Sequence, residues 1–430
     1  MIYGGKPLER KQIGNGAYIT VLDSQKFNRC RITLHFQFPA NREQATAAAV
    51  LPLVLERGYA DCPDMTELSR RLAKLYGADL AVDNAVNGGN RILTVDIVGI
   101  CDPFALEGEN LTQEYLKIAL GVAFDPYLVN GVFDPEAVQI EKATLAQRLE
   151  AEINDKRGYC VRQARRKFYG SSKAGIERDG YLEELPALDA AALKRVYDEI
   201  LRTATVDVMV QGANAQLVEK AVLQRLSSID RAPAALEPAT LMPRQECRHY
   251  TETFSDLVQA KLCMLFAASE TLNGEKLEAN RLAMALFGGS VTSRLFLNVR
   301  EKQSLCYYCG SSAGVMGGVM MVDSGVEPKN AAKAEQAILH ELDQLLHGPI
   351  TDEELEDCRR GILSGMESVE DTLSGVENWY YMQICRGEEL CSPAESHRRL
   401  LAVTKEQVRQ VLAGYSLSVS YLVTAKEDAQ

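Results

Sequence analysis

The chain is one unit written twice, and that duplication limits its fold more than any single motif does. The alternating run Arg31-Ile32-Thr33-Leu34-His35-Phe36 reads as a half-buried strand and returns as the apolar strand Lys261-Leu262-Cys263-Met264-Leu265-Phe266. Each is followed by a helical run ending at glycine, AAAVLPLVLERG to Gly58 and ANRLAMALFGG to Gly289. A second helix begins at Thr66 in one half and at Thr292 in the other. Gly-Gly turns then feed strands, Gly88-Gly89 before RILTVDIV and Gly317-Gly318 before VMMVDSGV. Further helices start at Pro135 and Thr351, aromatic helices end at Gly170 and Gly387, and Asp189 and Thr404 both have the position of N-caps. Each half closes on a strand, TVDVMVQG and LSVSYLVTA. The spacing between copies narrows from about 230 to about 213 residues, as loop insertions would cause.

Between the copies, residues 229–246 are rich in proline and alanine and lack helical periodicity. The expected organisation is a first domain over 1–228, a linker over 229–248 and a second domain over 249–430. Strand pairs joined by short glycine turns imply antiparallel sheets, so the class is α+β.

Composition closes off several functions. Lys+Arg 47 against Asp+Glu 59 gives a net charge of −12, which argues against nucleic-acid and anionic-membrane partners. Eleven scattered cysteines suit a reducing cytoplasm, and the N-terminal stretch has no apolar core of a signal peptide, so a cytoplasmic protein is expected. Gln303–Val322 is uncharged over the length of a membrane span, but its glycines favour two strands around the Gly317-Gly318 turn. Cys306 and Cys309 form a lone CxxC, read as strand packing ahead of a redox or metal role. The basic run KRGYCVRQARRK (156–167) reads as a solvated helix face rather than a nucleic-acid patch.

The histidines are His35, His249, His340, His347 and His397, with none between 35 and 249. A hydrolytic zinc site needs three protein ligands and an open position. His340 begins HELDQ, where Gln344 stands in place of the second histidine of HExxH. His340 and His347 would lie about 10 Å apart along a helix, too far to share one ion, and belong on a polar helix face. There is no GxSxG elbow, and GVMGGV lacks the lysine of a phosphate loop.

Two passages add a resemblance. SRLFLNVREKQSLCYYCGSSAG (293–314) and KFYGSSKAGIERDGYLEELPALDAAALKRVYDEI (167–200), with the duplication, resemble the insulinase/pitrilysin family of zinc metallopeptidases, the inverzincins. The resemblance runs over nearly the whole chain. It implies that each half is a mostly antiparallel sheet with helices packed on one face, two halves making a bowl. Two bowls close as a clamshell around an unfolded peptide, the second bowl being a separate chain in smaller members.

Active members carry His-x-x-Glu-His on the first helix. Aligned on Gly58, that motif falls on Ala49-Val50-Leu51-Pro52-Leu53. Ala49 and Leu53 then replace the zinc-binding imidazoles and Pro52 the catalytic glutamate. The downstream ligand maps near Gln139, with Glu136 and Glu141 adjacent. The expectation is no catalytic residue, metal or cofactor in this chain, with zinc held by a partner.

The family's Arg and Tyr, seven residues apart, match Arg300 and Tyr307. They would hydrogen-bond peptide near the scissile bond, where donors oppose developing negative charge. The resemblance therefore implies the non-catalytic, peptide-binding subunit of a heterodimer with an active zinc-peptidase paralogue, as in bacterial pairs and mitochondrial processing peptidase. The alternative is a structural scaffold or peptide-binding homodimer with no proteolytic role.

Overall fold

Alternation along the strand Arg29–Pro39 organises the first half: Ile32, Leu34, Phe36 and Phe38 all enter one apolar core. The computed structural model describes residues 8–22, 25–255, 257–314 and 316–426, so the first seven residues of the stretch scanned for a signal peptide lie outside it. Two compact units form. The first comprises the chain up to Glu150, Ile176–Glu237 and Leu373–Glu377; the second comprises Ala151–Gly175, Pro238–Thr372 and the chain from Asn378. Residues 230–247 contain neither helix nor strand.

In chain order the first unit begins β1 (Arg10–Gly14), β2 (Ala17–Leu22), β3 (Arg29–Pro39), α1 (Ala45–Leu55), α2 (Met65–Lys74), β4 (Asp79–Asn87) and β5 (Asn90–Ile100). It continues α3 (Leu111–Phe124), the short hairpin β6 (Leu128–Val129) and β7 (Val132–Phe133), and α4 (Pro135–Ala151). After α5 (Lys156–Tyr169), which belongs to the second unit, come α6 (Ala190–Thr203), β8 (Thr205–Gln211) and α7 (Ala215–Leu226). The sheet order is β1-β2-β8-β3-β5-β4, antiparallel except where β2 pairs β8. Helices α1, α3 and α6 pack with β3 in a single apolar cluster.

The second unit contains β9 (Arg248–Phe254), β10 (Ala260–Ala268), α8 (Gly274–Met284), β11 (Cys306–Ala313) and β12 (Val319–Val326). Then come α9 (Ala331–His347), α10 (Asp352–Glu367), α11 (Leu373–Arg386), α12 (Pro393–Leu401), α13 (Lys405–Ala413) and β13 (Tyr415–Ala425). Its sheet runs β11-β12-β10-β13-β9, with only β13 and β9 parallel. Read from the other edge, that is the order and polarity of β2-β8-β3-β5-β4, so the sequence repeat is also a repeat of topology.

The uncharged segment Gln303–Val322 holds β11, the glycine turn and the start of β12. Gly317 and Gly318 take φ values of +71° and +79°, a conformation that favours glycine. Gly58 is required by space as well: a Cβ there would lie 2.4 Å from the Cys62 carbonyl oxygen. Among the described residues, no helix is long and apolar enough to cross a membrane.

The second sheet is covered twice. Leu262, Met264, Phe266 and Ala268 of β10 face the larger helical core, while Cys263, Leu265 and Ala267 pack on Cys160, Ala164 and Phe168 of α5. On β3 the corresponding expectation of a half-buried strand does not hold. Thr33 and His35, on the face away from the core, are 0% and 6% exposed.

Candidate functional site

Helix α1 is where the family motif would fall. Its sequence ATAAAVLPLVL is apolar on every side, and only Leu53 retains partial exposure, the pattern of a helix sunk in a core. Ala49 is buried within the first unit's core cluster. Pro52 lies inside the helix, where it has no N–H to donate to the carbonyl four residues back. Gln139, on α4, points to the exposed side, as does Glu136. Glu141 is committed to Arg57 at 2.7 Å. Where the resemblance would place two imidazoles and two carboxylates, these positions offer methyl, pyrrolidine, isobutyl and carboxamide groups, a donor set that does not fit zinc. Among the described residues, no three His, Cys, Asp or Glu side chains are grouped to hold a metal ion.

The histidines occupy structural or surface places. His35 Nδ1 lies 3.0 Å from Thr94 Oγ1, and its Nε2 lies 3.3 Å from Glu377 Oε1. His340 and His347 sit on the exposed side of α9, as the spacing predicts, with His347 3.7 Å from Asp343. The basic run forms α5. Its buried side is Cys160, Ala164 and Phe168, and several cations lie over rings, Lys156 over Phe254 at 3.8 Å and Arg157 over Tyr308 at 4.4 Å.

Arg300 and Tyr307 lie at the opposite end of the chain's chemistry, in the second unit. The helix expected from Thr292 forms as a π-helical segment, Leu295–Lys302, wider than an α-helix. Leu295 and Val299 anchor it in the core, leaving the Arg300 side chain 39% exposed. The guanidinium lies 4.6 Å from the Phe296 ring centre and 3.4 Å from Glu301, so it is steered by neighbours rather than neutralised by a buried acid.

Ser304, at φ +51°, turns the chain into β11. There the ladder to β12 slips between Cys306 and Tyr308, and the residue left over is Tyr307, 57% exposed. A bulge is a common device for re-aiming one side chain out of a sheet. It also lets both Cys306 and Cys309 reach the core, where they are buried free thiols, in keeping with strand packing. The bond to Cys309 holds the Cys306 thiol below its ordinary range, and Arg300 adds a weaker pull. The π-helix and the bulge that present Arg300 and Tyr307 have no local sequence signature.

Residues 187–362 match a family model described as the peptidase M16 inactive domain. A Bacillus subtilis (strain 168) protein named probable inactive metalloprotease YmfF is 25% identical over 98% of this chain and 99% of its own length. An uncharacterized zinc protease, SCO5738, of Streptomyces coelicolor is also 25% identical, over 69% of this chain and 66% of its own. Among solved structures, a conserved protein from Enterococcus faecalis V583 superposes with a TM-score of 0.88 at 24% identity, covering 97% of this chain and 99% of that one. A peptidase M16 inactive domain from Pseudomonas fluorescens superposes with a TM-score of 0.77 at 17% identity, covering 99% of both chains. These two structures share the fold.

Proposed function

For a chain that is a catalytically degenerate homologue of the M16 metallopeptidases, we propose the role of a non-catalytic subunit. It binds and positions peptide for a zinc-bearing partner that carries the intact His-x-x-Glu-His motif. One observation carries the reading: the donor positions on α1 and α4 are filled by Ala49, Pro52, Leu53 and Gln139, while Arg300 and Tyr307 stay exposed. A chain kept only as a scaffold has no need of a guanidinium and a phenol presented by a π-helix and a bulge.

The chemistry follows from the donors. Arg300 offers a planar cation with several N–H groups, and Tyr307 a phenolic O–H. Aimed at a peptide carbonyl, they fix its orientation. As the partner's chemistry builds negative charge on that oxygen, they stabilise it more than the ground state. No proton transfer is assigned to this chain.

Isolation of the tagged chain from its own cells tests the partnership. It should bring down a homologue with the intact motif at equal stoichiometry, and the zinc should reside in that partner. A chain recovered only as a homodimer would support the scaffold alternative and contradict this one.

A further inference from the structure

The second unit contains a cavity of about 350 Å³ that neither Arg300 nor Tyr307 lines. It lies among the start of α8, the later part of α11, the 387–391 loop and α12. Three arginines border it. Arg281 Nη1 donates to Ser396 Oγ at 2.9 Å and approaches Glu278 at 3.2 Å, with the guanidinium carbon 4.9 Å from the Trp379 ring centre. Arg386 Nη2 donates to Glu388 at 2.9 Å, and Arg399 Nε to Glu395 at 3.0 Å. Each guanidinium carries five N–H donors, so these bonds leave donors on all three.

Of the cavity's acids, Glu278 is the most committed. Glu278 is 4% exposed and accepts from Ser396 as well as Arg281. Glu388 accepts from Arg386 through Oε2 alone, its Oε1 and the Arg386 Nε both being buried without a hydrogen-bond partner, and Glu389 stands at the exposed rim. The first turn of α8 borders the same space at Asn273 and Gly274, and the Asn273 side chain does not cap it. Its N-terminal amides add positive potential. Leu277, Leu390 and the Trp379 indole supply apolar wall, and the indole is fixed by an Nε1 bond to the Cys391 carbonyl at 2.7 Å.

We propose that this cavity binds a small organic anion, a carboxylate or phosphate monoester that carries an apolar group. The arginine donors and the α8 terminus take the anion, and Trp379 with the two leucines takes the apolar part. The assignment does not depend on a partner chain.

Trp379 is the one tryptophan of the chain, so its fluorescence reads the cavity directly. The full chain is titrated with N-acetyl-leucine, its neutral amide and phenyl phosphate. One of the two anions should give a saturable change at a concentration at least tenfold below any response to the amide; which anion does so names the class. Arg399→Gln, at a partly exposed position, should weaken that binding at least tenfold without moving the melting temperature. Should that variant melt below the assay temperature, the parent chain in rising salt decides, since binding must weaken as ionic strength rises. No saturable response to either anion, equal response to acid and amide, or binding indifferent to both Arg399→Gln and salt would overturn the site.

Discussion

Strands β3 and β10 hold the same place in the two sheets, yet the residues they turn away from the helical core are of different kinds. On β10 these are Cys263, Leu265 and Ala267, packed against Phe168 and its neighbours on α5. On β3 they are Arg31, Thr33 and His35. Arg31 grips Asp96 through two nitrogens, at 2.9 and 2.8 Å, and Glu377 at 3.1 Å, while Thr33 donates to Glu377 at 2.9 Å. The covering segments come from matching points of the two repeats, α5 before Gly170 and α11 before Gly387. Duplication thus preserved strand order and rewrote the polarity of one face. Burial of apolar area stabilises the second unit there, whereas matched charge and hydrogen bonding hold the first.

The comparison can be broken by substitution. Phe168→Ala should remove about 3–5 kcal/mol of stability, the usual cost of deleting a buried aromatic side chain, read as a lower urea midpoint. A loss within error would mean that α5 is not held by packing. Glu377→Ala should remove less, about 1–3 kcal/mol, because Arg31 keeps Asp96 while Thr33 and His35 lose a buried acceptor. A larger loss than for Phe168→Ala would reverse the ranking of the two faces.

The smallest expected effect is one of pH. Burial holds the Asp96 carboxyl above its ordinary range, despite Arg31. The folded chain therefore keeps that proton more tightly than the unfolded chain. Its contribution to stability grows as pH falls through the raised folded value toward the ordinary one near 3.9. Asp96→Asn removes that gain, so in urea unfolding at several pH values the variant should lose stability relative to the parent as pH falls toward 4. A variant that gains stability relative to the parent as pH falls would show that the Arg31 charge, not burial, dominates.

Much of this fold was legible as repeats and punctuation. The glycines at 58, 88 and 317–318 mark helix ends and hairpin turns because few other residues tolerate those backbones or approaches. That α1 is apolar nearly throughout, with Pro52 inside it, was legible too. What escaped was non-local. Alternation on β3 announced a solvated polar face, but the partner that buries Thr33 lies 344 residues away at Glu377. The membership of α5 in the second unit, the bulge at Tyr307 and the cavity around Trp379 likewise arise from segments far apart or from backbone irregularity. No window of sequence contains them.

The central claim is that this chain contributes Arg300 and Tyr307 to chemistry performed by a zinc-bearing partner. Single-turnover cleavage of an unfolded peptide by the zinc-bearing homologue, with saturating amounts of this chain, tests it most directly. The account predicts little cleavage by either chain alone and restored cleavage on mixing. With Arg300→Ala the rate should fall about 10²–10³-fold, and with Tyr307→Phe by about 10²-fold, the scale on which a transition-state hydrogen-bond donor acts. Both variants should still form the complex. Undiminished cleavage with both variants would contradict the account.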